Sequence, residues 1–550
     1  MDVALFSEAS ALVGLRDIES DAELGPLLED PPAGVGAGVI ARLKYMFEAG
    51  GWVLLESAVA DLPSDLRWLF ESGAVTIEQL AALHRDLGVT SAADLRAAVL
   101  CQAVRDVPGL DAAVEAAIDA ALPSLRAAVA LIPLGRATAL AHPILSILRQ
   151  MPGVPWAEPV GSLRRAQDMV GDIEILAPTD DPAGAFDALL ELPDIVRCLH
   201  RSPKRLYLLM ERAQVGVRCP APDRAGASLL YLTGSVGHFA GLRALADERG
   251  WTLAPDGLSK ADGSPPLAAS EDEIYAALDL PWIPPEIRNG EEEIAAARNG
   301  TLPALVSRDD IRGDLHMHTQ WSDGRDTTET MVETCVSLGY EYLAITDHSP
   351  HSRASRNLSV EGIKRQAEEI AGLRERFPQI AILHGCEVDI LAEGRLDFKD
   401  RILEDLDIVL ASLHEAGGDS PERLLRRYLT AMRHPMVTFI THPTNRLVPH
   451  RPGYALDYDR LFAAAVETGT AVEIDGAPAH LDLDGALARR AITAGALVVI
   501  SSDCHRADML ERQMRLGIQT ARRGWVEARH VLNTQPLAAI RARIAAKRAR

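Results

Sequence analysis

Between residues 311 and 505 seven short apolar runs alternate with amphipathic stretches, and nearly every run closes on a histidine or an acid. The runs are IRGDLHMH (311–318), YLAITDH (342–348), AILHGCEV (381–388), DIVLASLH (407–414), VTFITHP (437–443), AVEID (471–475) and ALVVISSDCH (496–505). The stretches between them, such as TTETMVETCVSLG and GIKRQAEEIAGLRERF, space their apolar residues as helices do. Seven strands, each followed by a crossover, predict an α/β fold with a parallel barrel. In such barrels chemistry sits at the C-terminal ends of the strands.

Those ends carry the chemistry-bearing residues. The first run delivers His316 and His318, with Asp323 in the loop after it. The next four deliver His348, Glu387, His414 and His442. The sixth ends Glu473-Ile474-Asp475, and the seventh supplies Asp503 and His505. Residues i and i+2 of a strand share a face, so His316 and His318 are expected to project together, as are Asp503 and His505. A single histidine is more often packed than ligating. The chain has only 16 histidines, however, and composition does not explain their placement at successive strand ends. Imidazole and carboxylate groups are ligands of Zn²⁺, Mn²⁺ and Fe²⁺. The nine residues His316, His318, Asp323, His348, Glu387, His414, His442, Asp503 and His505 can hold two or three such ions at one mouth. Bridged ions lower the pKa of a shared water and clamp phosphate oxygens, so no protein nucleophile is needed. Arg353, Arg356, Arg446 and Arg451, in loops after strand ends, are candidate phosphate contacts. Cys386 and Cys504 alternate with ligands and are expected to pack.

The 550 residues divide by texture into a helical region (1–150), a region of short strands and helices (151–290), a charged helical linker containing EEEIAAARNG (291–310) and the barrel (311–550). The net charge of −22 excludes nucleic-acid binding by bulk positive charge and leaves local arginine patches or metal ions for that task. Six scattered cysteines without a C-x-x-C pair argue against a disulfide framework or a zinc ribbon. No basic leader and no long uncharged apolar run occurs, so the expectation is a cytoplasmic chain with no membrane and no obligate protein partner.

On DLHMHT, SDG, ITDHS, GCEVDI, ASLH, THP and SSDCH, the 311–550 region resembles a PHP (polymerase and histidinol phosphatase) domain. The resemblance implies a distorted (β/α)7 barrel with a trinuclear centre. His316, His318, Glu387 and Asp503 would hold one metal. Glu387 would bridge to a second, held also by His414 and His442. Asp323, His348 and His505 would hold the third. Glu387, Asp503 and His316 would be the catalytic ligands.

The preceding half resembles a family X DNA polymerase. GSLRR (161–165) and GDIEIL (171–176) match that family's GS-x-RR and GD-x-D strand, YLTGSVGH (231–238) its YFTGS element, and PWIPPEIR its thumb ending. AGVGAGVIARL (33–43) resembles a helix-hairpin-helix. The resemblance implies an α+β nucleotidyltransferase-like palm with thumb, and PolX architecture for nearly the whole chain. Gly161, Ser162, Arg164 and Arg165, with Gly34 and Gly36, would contact nucleotide or DNA phosphates. Mg²⁺ would sit at any residual polymerase site. Of that site's three carboxylates Asp172 stands in place, Glu174 replaces an aspartate, and the third position is Gly216. A degenerate polymerase half, inactive or weak, is therefore expected.

The functional expectation is a DNA repair-type, metal-dependent phosphodiesterase, a 3′–5′ exonuclease with 3′-phosphatase or abasic-site activity beside it. Its DNA would be gapped, nicked or single-stranded at the 3′ end. The alternatives are a small-molecule phosphomonoesterase resembling histidinol phosphatase, and a catalytically silent DNA-binding scaffold.

Overall fold

The computed structural model describes residues 131–550 apart from 212, 353, 355 and 415–417; before 131 it describes 66, 69, 73–87, 89, 95, 98, 99 and 103–122. The glycine-rich turn with Gly34 and Gly36, and the side chain of Arg353, lie outside the described residues. The chain separates into two compact units, Met1–Ala130 with Leu190–Ser202 and Leu206–Gln214, and the remainder. In the first unit, helices Ile77–Leu87 and Ala112–Ala121 contribute to a small core with Leu66, Leu80, Leu83, Val104 and Ile118. Asp111 caps the second helix, its carboxylate accepting from the backbone N–H groups of Ala113 and Val114 at 2.9 Å.

The second unit opens with the helix Leu134–Gln150. A palm-like sheet follows. Strand Ile173–Leu176 pairs antiparallel with Glu158–Pro159 and parallel with residues 215–218, register Glu174 opposite Gly216. Helices Ala225–Thr233, Val236–Asp247 and Glu271–Ala277 pack around Leu242, Ile274 and Tyr275 as the thumb. The segment expected as a linker is packed instead. Its helix Glu293–Arg298 buries Glu293, whose carboxylate lies 2.7 Å from the His238 Nδ1.

The barrel has seven parallel strands in sequence order: β1 (Gly313–Asp314), β2 (Tyr342–Ile345), β3 (Ala381–Asp389), β4 (Ile408–Ser412), β5 (Val437–Ile440), β6 (Ala471–Asp475) and β7 (Val498–Ser501). The strands are almost wholly buried, because both faces are covered, and their polar residues gather toward the C-terminal ends. Tyr342, Ala344, Leu383, Leu410, Phe439, Ala471 and Val499 fill the interior. Their neighbours Leu343, Ile345, Ile382, Val409, Val472 and Ile500 pack outward against the helices. Leu532 and Ile540 belong to the interior cluster and come from the C-terminal segment. Helices after the strands are capped by Thr327, Ser359, Ser420, Asp457 and Asp484, each side chain accepting the backbone N–H of the third helical residue. These caps mark where each mouth loop ends.

The ladder does not run from β7 back to β1. Asn533 spans the seam: its amide donates to the carbonyls of Gly313 at 2.8 Å and Ile500 at 2.7 Å, and its carbonyl accepts from the Ile500 N–H at 3.1 Å. The side chain is wholly buried. Asn533→Ala, which leaves three backbone groups unpaired, is expected to cost about 3 kcal/mol or more. Urea unfolding of the metal-free chain checks this, and a loss under about 1 kcal/mol would show that the seam holds without it. No described helix is long and apolar enough to cross a membrane.

Candidate metal centre

Strand pleating aims Glu387 on β3 and Glu473 on β6 into the barrel, on the same faces as Leu383 and Ala471 and nearer the C-terminal ends. The other candidate ligands do not sit within strands. β1 ends at Asp314 and β7 at Ser501, so His316, His318, Asp503 and His505 belong to the irregular segments that follow. They converge all the same, with Nε2 of His316 and His318 3.1 Å apart, but strand alternation is not the cause. The backbone turns inward at the mouth, with Asp503 at φ 48° and His442 at φ 24° in the left-handed region that non-glycine residues avoid. Short parallel bridges, Met317 to Cys504 and His348 to Glu387, hold these segments in register.

All nine residues meet at one mouth. Oε2 of Glu387 lies 2.9 Å from Nδ1 of His348, 3.5 Å from Nε2 of His316, and 3.7 Å from Nε2 of both His318 and His414. Oε1 accepts from the Thr441 hydroxyl at 2.8 Å and lies 3.0 Å from Nε2 of His442. Asp503 stands 3.0 Å from His318 and 3.5 Å from His316. Asp323 faces His505 at 3.3 Å and His348 at 3.5 Å. Donor atoms gather into groups compatible with single ions: His318, Asp323, His348 and His505; His316, His318 and Asp503; His348, Glu387 and His414. Asp323, His414 and His505 are the partly exposed members and mark the open side.

Burial would push the Glu387 carboxyl up, but the surrounding His316, His414 and His348 hold it well below the usual carboxylate range. Burial opposes charge on His348, yet Glu387 and Asp323 raise it to about 10. His442 is likewise raised to about 9 against burial by its hydrogen bond to Glu387. His318 is driven down to about 4 by burial and by His348 and His505 beside it. The donor set fits divalent ions. Oε2 of Glu387, Nδ1 of His318 and Nδ1 of His442 are buried with no hydrogen-bond partner, though oppositely charged groups crowd Oε2. Protons alone satisfy such a cluster poorly, because adjacent imidazolium ions repel.

Several acids lie at or beside the strand ends in the sequence, but their supporting role shows only in the fold. Glu473 holds Nδ1 of His316 at 2.7 Å, accepts from the backbone N–H of His442 at 2.7 Å, and bonds the Ser501 hydroxyl. Asp389 stands 3.0 Å from Nδ1 of His414. Asp347 ties the mouth loop through Thr319, Ser322 and Gln366. Such partners fix which imidazole nitrogen faces an ion. Cys386 and Cys504 lie in the core between barrel and helices, as expected of packing residues.

The three described arginine candidates are occupied. Arg446 pairs with Asp168 at 2.7 Å and also donates to the carbonyls of His480 and Leu481. Arg451 donates to Asn445, and Arg356 to the Ser322 carbonyl. In the palm, Gly161 and Ser162 open the short helix Gly161–Arg164, with the Ser162 hydroxyl accepting from Gly171 N–H at 3.3 Å. Arg164 is committed to a carboxylate, donating to Glu271 at 2.8 and 3.0 Å; Glu271 also binds the buried Arg288. Arg165 donates to the Thr233 carbonyl, and burial beside Arg288 and Arg523 lowers its pKa. Asp172 directly precedes the palm strand Ile173–Leu176. Glu174 is held by Arg218 at 2.5 Å, from the adjacent strand that carries Gly216. A guanidinium thus engages the second acid, beside the position where the third is missing.

The DNA polymerase beta thumb family matches residues 228–289, and the PHP domain family matches residues 314–473. The chain is 34% identical over 539 residues to the DNA polymerase/3′-5′ exonuclease PolX of Bacillus subtilis (strain 168), covering 97% of this chain and 94% of that protein. A probable phosphatase of Thermoanaerobacter sp. (strain X514) is 30% identical over 203 residues, covering 35% of this chain and 78% of its own. A probable phosphatase of Caldanaerobacter subterraneus subsp. tengcongensis is 32% identical over 205 residues, covering 35% and 75%.

Proposed function

Because this chain belongs to the PolX family of DNA polymerase/3′-5′ exonucleases, we propose that its barrel hydrolyses DNA from 3′ ends while its polymerase half serves mainly to hold the DNA. It is a metal-dependent hydrolase with a PHP domain and a family X polymerase module. Our reading divides it into a helical DNA-binding region (1–150), palm and thumb (151–290), connecting segment (291–310) and phosphoesterase barrel (311–550). It assigns gapped, nicked or single-stranded 3′ ends as substrates, with 3′-phosphate and abasic-site removal alongside, and the cytoplasm as compartment.

One observation carries the catalytic part: a buried carboxylate oxygen, Oε2 of Glu387, ringed by four imidazoles yet without a hydrogen-bond partner. The nine residues would hold two or three ions of the manganese, zinc or iron class. When bound, such ions supply an activated water and electrostatic clamping of a phosphate in in-line displacement. The protein's own part is orientation. Glu473 holds His316 with Nε2 toward the mouth, Asp389 does the same for His414, and Thr441 fixes the carboxylate plane of Glu387. The more exposed Asp323, His414 and His505 lie where a DNA end would arrive.

Oligonucleotides labelled at the 3′ or 5′ end, with Mn²⁺ supplied, test the reading. Loss of the 3′ label and a shortening 5′-labelled ladder are expected. Faster turnover of a small phosphate monoester than of DNA would favour the phosphomonoesterase reading, which the two phosphatase relatives support.

Metal uptake is also expected to release protons at neutral pH. His348 and His442 have pKa values of about 10 and about 9 in the metal-free site, so both are protonated at pH 7 and must give up a proton to ligate. Affinity should therefore rise between pH 6 and pH 8, by about tenfold per unit for each proton displaced. Competition titration against a chelator at several pH values reads this out, and a flat profile would contradict it.

A further inference from the structure

Beside the nine-residue set lies a smaller group. Donor atoms of Asp475, His480 and Asp503 fall within 4.8 Å of one another. Asp475 ends β6, is fully buried, and uses one oxygen to accept from the Ala477 N–H at 2.6 Å. Its other oxygen has no hydrogen-bond partner. No arginine or lysine pairs with Asp475 among the described residues, although two buried carboxylates face each other here.

His480 supplies the third donor in a fixed orientation. Its Nδ1 lies 3.0 Å from the Arg446 carbonyl, an acceptor only, so that nitrogen carries the proton and donates. Nε2 is left with its lone pair, the arrangement that ligating histidines use. The ring also stacks on His442, centroids 5.4 Å apart and planes within 21°. Asp503 reaches in two directions, since the same carboxylate stands 3.0 Å from His318 and 3.5 Å from His316.

We propose that Asp475 and His480, neither of them in the nine-residue set, form with Asp503 an additional divalent-cation subsite, which Asp503 bridges to the His316–His318 position. The inference rests on the reading of the barrel mouth as a metal centre. One nitrogen and two carboxylate oxygens suit a zinc- or manganese-class ion. Bonds of about 2.1 Å require the donors to draw in by about 1 Å from their present spread. Three protein donors leave coordination positions for water or a phosphate oxygen. The competing arrangement is a single proton shared between Asp475 and Asp503, with no ion.

Metal counting on the full-length chain separates the two. The protein is stripped with chelator, reconstituted with Zn²⁺ or Mn²⁺, and its bound metal measured by mass spectrometry. Asp475→Asn and His480→Gln are each expected to hold about one ion per chain fewer than wild type, while Glu387→Ala loses the others. Circular dichroism checks folding, and should Asp475→Asn misfold, the His480→Gln count decides. Equal counts in wild type and the folded variants would overturn the subsite alone. Fewer than about one ion in wild type itself would overturn both the subsite and the metal-centre reading beneath it.

Discussion

Glu387→Ala is expected to lower 3′–5′ exonuclease turnover by about a thousandfold or more, with most of the bound metal lost and the barrel still folded. The expectation follows from where the carboxylate sits. Both oxygens are used, one facing His316, His318, His348 and His414, the other Thr441 and His442. Removing it takes away the anion shared by the imidazoles at the centre of the mouth. A loss of about 4 kcal/mol in transition-state stabilisation already slows a reaction about a thousandfold. The fold should survive, because the interior layer of Leu383, Leu410, Phe439 and Val499 lies beneath the site and does not depend on it. The buried histidines freed of Glu387 can release their protons rather than stay charged. Nuclease rate, metal content and the melting temperature of metal-free samples together check the prediction. Glu387→Gln, which keeps shape and removes charge, should behave like alanine in rate and metal content. Retention of full activity by either variant would remove Glu387 from the centre. A large fall in metal-free melting temperature would mean that its role is structural.

Template-directed nucleotide addition is expected to be absent or at least about a thousandfold slower than a complete three-carboxylate site allows. Two Mg²⁺ ions in such a site need bridging acids to offset their mutual repulsion and to place the primer hydroxyl. Here the second acid is Glu174, one methylene longer than aspartate and engaged by Arg218. Opposite it in register stands Gly216, with no ligand to offer. A fixed guanidinium also raises the electrostatic cost of bringing a second cation to Glu174. Primer extension on a gapped duplex with Mg²⁺ or Mn²⁺ tests this in the Glu387→Ala background, where exonuclease cannot erase the product. Robust extension there would show that other residues complete the site. Gly216→Asp combined with Arg218→Leu restores a carboxylate and removes the competing cation. Any gain in extension should be larger in the double variant than with Gly216→Asp alone, and a gain from Gly216→Asp that Arg218→Leu does not increase would acquit the arginine.

Seven strands, their order of appearance, and the residues at their ends could be read in the chain because these features are local. Apolar runs of strand length, helix caps such as Thr327, Ser359 and Ser420, and a histidine or acid at each run's end lie within a few residues of one another. The departures at Glu174 and Gly216 were equally legible, since each is a single identity at a known place in a strand. What those side chains touch was not. The inward turns at His442 and Asp503 replaced the strand alternation expected to aim the ligands. Arg446, free by its loop position, is consumed by Asp168 some 278 residues earlier. Glu473 and His316 are 157 residues apart, and Asn533 and Gly313 220 apart, yet each pair is joined by a buried hydrogen bond. No sequence pattern links such partners, because segments far apart in the chain meet only once the sheet has curled round on itself. Local periodicity therefore determined the elements and the types of ligand. Closure of the sheet decided which buried groups meet, and with that which histidine nitrogens face the mouth and which carboxylates support them.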